Sequence, residues 1–213
     1  MLKACLNGQR GRAAHPAVPV TPTELAADAA RCAALGVAAV HIHPRDAAGV
    51  ESLRPAVIAD ALTAIRAARP GLPVGVSTGA WIEPDPAARV AAVRSWPVLP
   101  DFASVNAHEP GAEAVAAALH ERGVLVEVGL WTVDAGVPPR STGMPGGSPP
   151  EDAVAPPVLL HAEGPATWAV LAEAVSRGLH TRIGLEDTLL LPDGVPAPGN
   201  AALVTAALAA GAG

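Results

Sequence analysis

An α/β fold built on a parallel sheet is what this sequence predicts, on three observations. Short segments rich in Val, Ile and Leu alternate with Ala-rich stretches of helical character, the order that βα units produce. Polar residues collect at the C-terminal ends of several of those apolar segments. The chain has 213 residues, half of them apolar, enough for one sizeable core and too few for two ordinary domains. Residues 1–213 therefore read as a single domain.

The apolar segments place strands near 2–7, 37–43, 73–78, 102–106, 124–131, 157–163 and 181–186. The stretches between them place helices near 22–35, 55–68, 86–95, 111–122, 165–177 and 199–210. Several helix ends are written in the sequence. Thr21-Pro22-Thr23-Glu24 sets a capping hydroxyl before a Pro at the first helical position. Gly36, Gly123 and Gly178 each fall just past an Ala-rich run, where a left-handed C-cap is wanted. With one Phe, four Trp and no Tyr, the core has to be built from Ala, Val, Leu and Ile.

Residues 133–156 break the rhythm, being loaded with Pro and Gly and having neither helical nor strand period. An eight-stranded (β/α) barrel takes about 250 residues. The sequence therefore predicts a (β/α)8 barrel shortened by about one βα unit, the sixth strand and its preceding helix, with the loop 133–156 in its place.

Composition excludes several classes of partner. The net charge is −6 and the 14 Lys and Arg are scattered, so no basic stripe offers itself to nucleic acid. No apolar run reaches the roughly 18–20 residues of a membrane span. Cys5 and Cys32 form no spacing pattern, and the N-terminus carries no secretory segment, so reduced thiols and a cytoplasmic location are expected.

The sharpest chemical signal is Val40-His41-Ile42-His43-Pro44-Arg45-Asp46, at the end of an apolar strand. Strand alternation turns His41 and His43 to one face and Val40 and Ile42 to the other. Two imidazoles so placed can chelate one dication, for which zinc suits neutral imidazole nitrogen, or can merely hydrogen-bond in a barrel mouth. The second signal is Thr181-Arg182-Ile183-Gly184-Leu185-Glu186-Asp187. Parity puts Arg182, Gly184 and Glu186 on one face, where Glu186 can complete a ligand set of two histidines and a carboxylate, or only pair with Arg182. Gly184 reads as room for a ligand, and Asp187 as a residue emerging at the rim, where it can act as a base.

Other strand ends contribute at matching parity: Ser77 and Gly79, Ser104 and Asn106, Glu127, and His161 with Glu163. Barrel chemistry lies at the C-terminal strand ends, so this is where site residues are sought. Arg66, Arg89, Arg94, Glu121 and Arg122 read instead as solvated helix faces.

The segments HIHPRD with Gly49 and Ser52, GVSTGA, ASVN, and TRIGLED with Gly194 and Asn200 together resemble the β-keto acid cleavage enzymes. The similarity runs over residues 1–132 and 157–210. It implies a TIM barrel holding zinc through His41, His43 and Glu186. The implied reaction takes a β-keto acid and acetyl-CoA to acetoacetate and a new acyl-CoA. It further implies Asp187 as the base, assisted by Arg182 and Ser77. Substrate contacts then fall to Ser77 and the Thr78 and Gly79 N–H groups, with Asn106 and Glu127. The chain departs from the family at Asn7-Gly8-Gln9-Arg10, where an acidic residue is usual, and Arg10 there implies a substrate tail that is negative or neutral.

Two other readings stay open. A metal-dependent hydrolase also uses HxH on a barrel strand, though on the first strand and with further histidines. A shortened relative that binds zinc or ligand without turnover is the other. A barrel with a gap would gain by covering it with a second subunit, so a homo-oligomer is expected.

Overall fold

The computed structural model describes residues 1–130 and 157–213. Along them run β1 (Leu2–Cys5), α1 (Pro22–Ala34), β2 (Ala39–Ile42), α2 (Pro55–Ala68), β3 (Val74–Ser77) and α3 (Pro86–Ser95). Then follow β4 (Phe102–Asn106), α4 (Ala112–Glu121), β5 (Leu125–Gly129), α5 (Thr167–Ser176), β6 (Thr181–Ile183) and α6 (Asn200–Ala209). The six strands form one parallel sheet in the order β5-β4-β3-β2-β1-β6. It curls into a half-barrel with helices outside, a shortened (β/α)-barrel fold in which the last strand has joined the first.

Helix ends follow the chemistry of their residues. Thr21 caps α1 by accepting from the Glu24 N–H while the Glu24 carboxylate accepts from the Thr21 N–H, a reciprocal capping box. Asp85 caps α3 through the N–H groups of Ala87 and Ala88. Pro22, Pro55 and Pro86 each sit at a first helical position, where a missing N–H costs nothing.

The sheet has two unlike faces. Val40, Ile42, Val74, Val76, Ala103 and Ile183 point outward and are fully buried against the helices. They meet Leu25, Ala29 and Cys32 of α1 and Ile58, Leu62 and Ile65 of α2 in one apolar cluster. At about 1.5–3 kcal/mol for each large aliphatic side chain taken out of water, this face supplies most of the drive to fold. The inner face carries Lys3, Cys5, His41, Ser77, Ser104, Glu127 and Arg182. Its lower layer is filled by Phe102, which lies over Gly75; a Cβ at Gly75 would stand 2.0 Å from the Phe102 ring.

One expected strand is nearly absent. Over 157–163 the pairing shrinks to a single parallel bridge between Leu159 and His180, held by Leu160 N–H to His180 O and His180 N–H to Val158 O. The chain then leaves the sheet: Gly164, in the left-handed region at φ 69°, donates its N–H to Asp187 O at 2.7 Å. The expected loop 133–156, and the βα unit it replaces, lie outside the described residues. Cys5 and Cys32 are free and buried. No helix among the described residues is long and apolar enough to cross a membrane.

Candidate active site

β2 and β6 are not neighbours; β1 lies between them. The loop after β6 crosses over β1 to bring Glu186 to the histidines. Glu186 N–H donates to Cys5 O (3.3 Å), and Leu185 N–H donates to Asn200 Oδ1 (2.7 Å). Asn200 is buried and fixed in turn by donating to Leu6 O and Asp28 Oδ2. A Cβ at Gly184 would lie 1.9 Å from Cys5 O. Gly184 thus makes room for the β1 backbone, a correction to its reading as space for a ligand.

The result is a compact cluster. His41 Nε2 and His43 Nε2 stand 4.0 and 3.6 Å from Glu186 Oε2, beyond hydrogen-bond length, and all three residues are nearly buried. One ligand atom from each lies within 4.8 Å of the others, as a shared metal ion requires. With zinc bonds of about 2.0–2.1 Å, donors around one tetrahedral ion stand about 3.3 Å apart, so a small closure would complete the site. Two imidazoles and a carboxylate are also a donor set that zinc accepts. Burial without a partner for Glu186 Oε2 or His41 Nδ1 among the described residues adds a polar demand that an ion at this place would relieve for the carboxylate.

Arg182 is the electrostatic hub. Its Nη2 lies 2.6 Å from Asp187 Oδ1, 3.0 Å from Glu186 Oε1 and 3.4 Å from Glu163 Oε1. Burial raises the Glu186 pKa, but Arg182, with His41 and His43, overrides it and holds the carboxyl well below its usual range. Asp187 differs. Burial, reinforced by the charges of Glu186 and Glu163, outweighs Arg182 and pushes it up to about 7. The two adjacent carboxyls are thus shifted in opposite directions, the pattern that separates a charged group from a proton-exchanging one. Asp187 is fully buried, not at the rim as expected, because its backbone carbonyl is held by Gly164 N–H and the Thr167 hydroxyl.

The histidines also separate. Burial drives His41 well below its ordinary pKa, whereas in His43 the opposing carboxylates Glu186 and Glu51 win and raise it to about 9. His161, whose Nδ1 lies 4.0 Å from Asp187 Oδ1, is lowered to about 3 by burial and by Arg182.

Of the remaining expected residues, Ser77 is buried and its Oγ accepts from Gly79 N–H at 3.3 Å. Thr78 gives its hydroxyl to Ser104 O. Asn106 donates to Glu109 Oε1 at 2.7 Å, and Glu127 pairs with Lys3. Arg89 proves buried, joined to Glu109 and Pro110 O, and not solvated; Glu109 also accepts from Ala80 N–H and so ties the loop after β3 to the loop after β4.

Sequence reasoning passed over Lys3, Glu51 and Trp81. Lys3 was legible in principle, sharing strand parity with Cys5 and Asn7. Glu51 had no period to show it, since a turn brings it to His43.

A curled parallel sheet that gathers two imidazoles, an arginine and two carboxyls at its C-terminal strand ends has the arrangement of a (β/α)-barrel with a candidate site where barrel sites lie. The chain belongs to the β-keto acid cleavage enzyme family, whose model matches residues 1–135 and 151–212. Among solved structures, the ternary complex of ObcA with a C4-CoA adduct and oxalate aligns with 91% of this chain and 63% of that one, at TM-score 0.60 and 15% identity. The apo structure of ObcA aligns with 53% of this chain and 30% of that one, at TM-score 0.44 and 17% identity. This chain therefore spans less than two thirds of the length of that relative, and the likeness to it is one of fold.

Proposed function

We propose that this chain binds zinc through His41, His43 and Glu186 and converts a β-keto acid and acetyl-CoA into acetoacetate and a new acyl-CoA. The observation that carries the reading is the buried convergence of two imidazoles and a carboxylate, with Asp187 beside them, in a chain of this family. ObcA, of similar fold, forms a ternary complex with a C4-CoA adduct and oxalate, in keeping with a CoA-linked substrate beside a small acid.

When bound, the dication stabilises negative charge on the substrate oxygens as a Lewis acid. The chain's own residues do the rest. The Ser77 hydroxyl donates to the substrate carboxylate, while the N–H groups of Thr78 and Gly79, already given to Ser104 O and Ser77 Oγ, hold the strand end in shape. Asn106 and Glu127 line the inner face further along. Asp187 takes the proton from the carbon between ketone and carboxylate, and Arg182 keeps its carboxylate aimed. That carbon attacks the acetyl thioester and expels the CoA thiolate. The thiolate then attacks the original ketone carbon, the bond from that carbon to the α-carbon breaks, and Asp187 returns its proton to give acetoacetate. Arg10, which donates to Leu185 O near the cluster, favours a substrate tail that is negative or neutral.

One observation favours a second reading, a relative that binds the ion or ligand without turnover. β5 ends the sheet among the described residues, and its Leu125 and Val128 are 72% and 56% exposed. Such an edge marks a barrel left open among the described residues, which favours the binding-only reading; in the acyl-transfer reading a second copy of the chain pairs with that edge.

The test is metal analysis by mass spectrometry on wild type, His41→Ala and Glu186→Ala, with acyl-CoA products followed across β-keto acids. About one zinc per chain, lost in both variants, with acyl-CoA formed, supports the acyl transfer. Zinc without product selects the binding-only reading. Folded protein unable to take up zinc removes both.

A further inference from the structure

Arg45, Asp46 and Gly49 follow the histidines in the same segment, yet none of them belongs to the ligand cluster. Their common product is a tight hairpin. Asp46 N–H donates to Val50 O, and its carboxylate accepts from the N–H groups of Ala48 and Val50. Gly49 takes φ 78°, and Arg45 faces Glu51 in an antiparallel bridge. Arg45 pins the hairpin down by donating to Gly49 O and, across to the loop after β1, to Gly8 O and Arg10 O.

What the hairpin delivers is the carboxylate of Glu51. Its Oε1 lies 2.5 Å from His43 Nδ1, on the ring edge opposite the Nε2 that faces Glu186. The same oxygen accepts from Trp81 Nε1 at 3.3 Å. The Trp81 indole lies nearly parallel to the His43 ring, with centroids 6.1 Å apart and planes inclined by 19°. Gly79 makes space for that indole, since a Cβ there would stand 2.3 Å from it. His43 is thus held at one edge and one face. His41 has no such support, its Nδ1 being buried without a hydrogen-bond partner among the described residues.

We propose that Glu51 is the positioning residue of the metal site, fixing His43 so that Nε2 presents its lone pair to the ion, and that Trp81 locks this pair and reports on it. The physical reason is general. A carboxylate accepting from Nδ1–H selects the tautomer that leaves Nε2 free, orients the ring and raises its basicity as a ligand. The inference rests on the proposed His41, His43 and Glu186 site, and names the residue that makes that site tight.

The experiment titrates metal-free protein with divalent cobalt, following the visible cobalt band and tryptophan fluorescence, in wild type, Glu51→Gln, Glu51→Ala and Trp81→Phe. Wild type should bind one cobalt per chain and show quenching, most of which disappears in Trp81→Phe. Glu51→Ala should weaken binding by about 10–100-fold, the range for losing such a partner. Glu51→Gln, which can still accept from Nδ1–H, should lie between the two, and its cobalt band should shift as the ring loses its charged partner. A role confined to holding the hairpin would lower thermal stability in Glu51→Ala and leave the affinity of its folded fraction unchanged, which would overturn the proposal. Cobalt bound equally well by wild type and by both Glu51 variants would overturn it while leaving the metal site standing. No binding by wild type removes the site itself and this inference with it.

Discussion

Lys3 Nζ and Glu127 Oε1 lie 2.6 Å apart, although they stand on β1 and β5, four steps apart in the sheet. At about 4.8 Å per strand, a flat sheet would hold them roughly 19 Å from one another. The pair therefore measures how far the sheet has curled, and it joins two strands that share no ladder. It also lies in the floor of the site: Lys3 Nζ is 5.2 Å above the Phe102 ring, which in turn lies 6.5 Å from His41.

Lys3 is almost fully buried and Glu127 about one third exposed, so removing the carboxylate strands an ammonium that water cannot reach. Breaking a fully buried pair costs about 3–5 kcal/mol. Discounted for the exposure of Glu127, the loss in Glu127→Gln is expected at about 1–3 kcal/mol by urea unfolding. Lys3→Met combined with Glu127→Leu should recover most of it, since an apolar pair strands no charge. A Glu127→Gln protein as stable as wild type would show that the pair is incidental to the curl.

Gly8 sits in the left-handed region at φ 54°, and a Cβ there would lie 2.5 Å from Glu186 Cγ. Gly8→Ala is therefore expected to push Glu186 away from the histidines and to cost about 1–3 kcal/mol of stability through overpacking and backbone strain. Zinc content should fall with it. Gly11→Ala, where nothing lies within 4 Å, is the matched control and should keep both. Full zinc occupancy in folded Gly8→Ala would contradict the close packing of loop and ligand.

The helices were legible because their signals are local. Thr21, Asp85 and the N1 prolines act within one turn of chain, and every expected helix appears with ends shifted by two residues or fewer. The shared direction of His41 and His43 was legible because strand parity is also local, whereas the strand expected over 181–186 ends at Ile183 and Glu186 reaches them from the loop beyond it. What escaped depends on contacts between distant segments. The strand expected at 157–163 has the right residues, but only a single bridge forms at Leu159. Asp187 is buried because Gly164 and Thr167 pack over it, and Arg89 because Glu109 receives it. Glu51 reaches His43 through a turn, which leaves no period in the sequence.

The proposed mechanism gives the neighbours Asp187 and Glu186 different tasks, so their amides should fail differently. Asp187→Asn keeps the shape of the side chain but cannot take a proton. Exchange of substrate α-protons with deuterated water is expected to slow by about 10²–10⁴-fold, the usual worth of a positioned base, with zinc content unchanged. Glu186→Gln should lose zinc first. Proton exchange that survives in Asp187→Asn would move the base to another residue.

The capping box of α1 gives a stability prediction with a definite sign. Backbone N–H bonds from Thr21 and Val20, ahead of the contact with Arg12, lower the Glu24 carboxyl from 4.5 to about 2. A folded-state pKa below the unfolded one means that the unfolded chain binds the proton more readily. The contribution is therefore present above about pH 4.5 and fades as pH falls towards 2. Glu24→Gln should be less stable than wild type at pH 7, with a gap that narrows through that window; the side chain is more than one third exposed, so the gap is small and shrinks in salt. Thr21→Ala removes the neutral half of the box and should cost about 1 kcal/mol, largely independent of pH. Thermal melts of the three proteins between pH 2 and pH 7 decide the matter. A Glu24→Gln gap that widened on acidification would reverse the sign and rule out the carboxylate as the group that holds this end of α1.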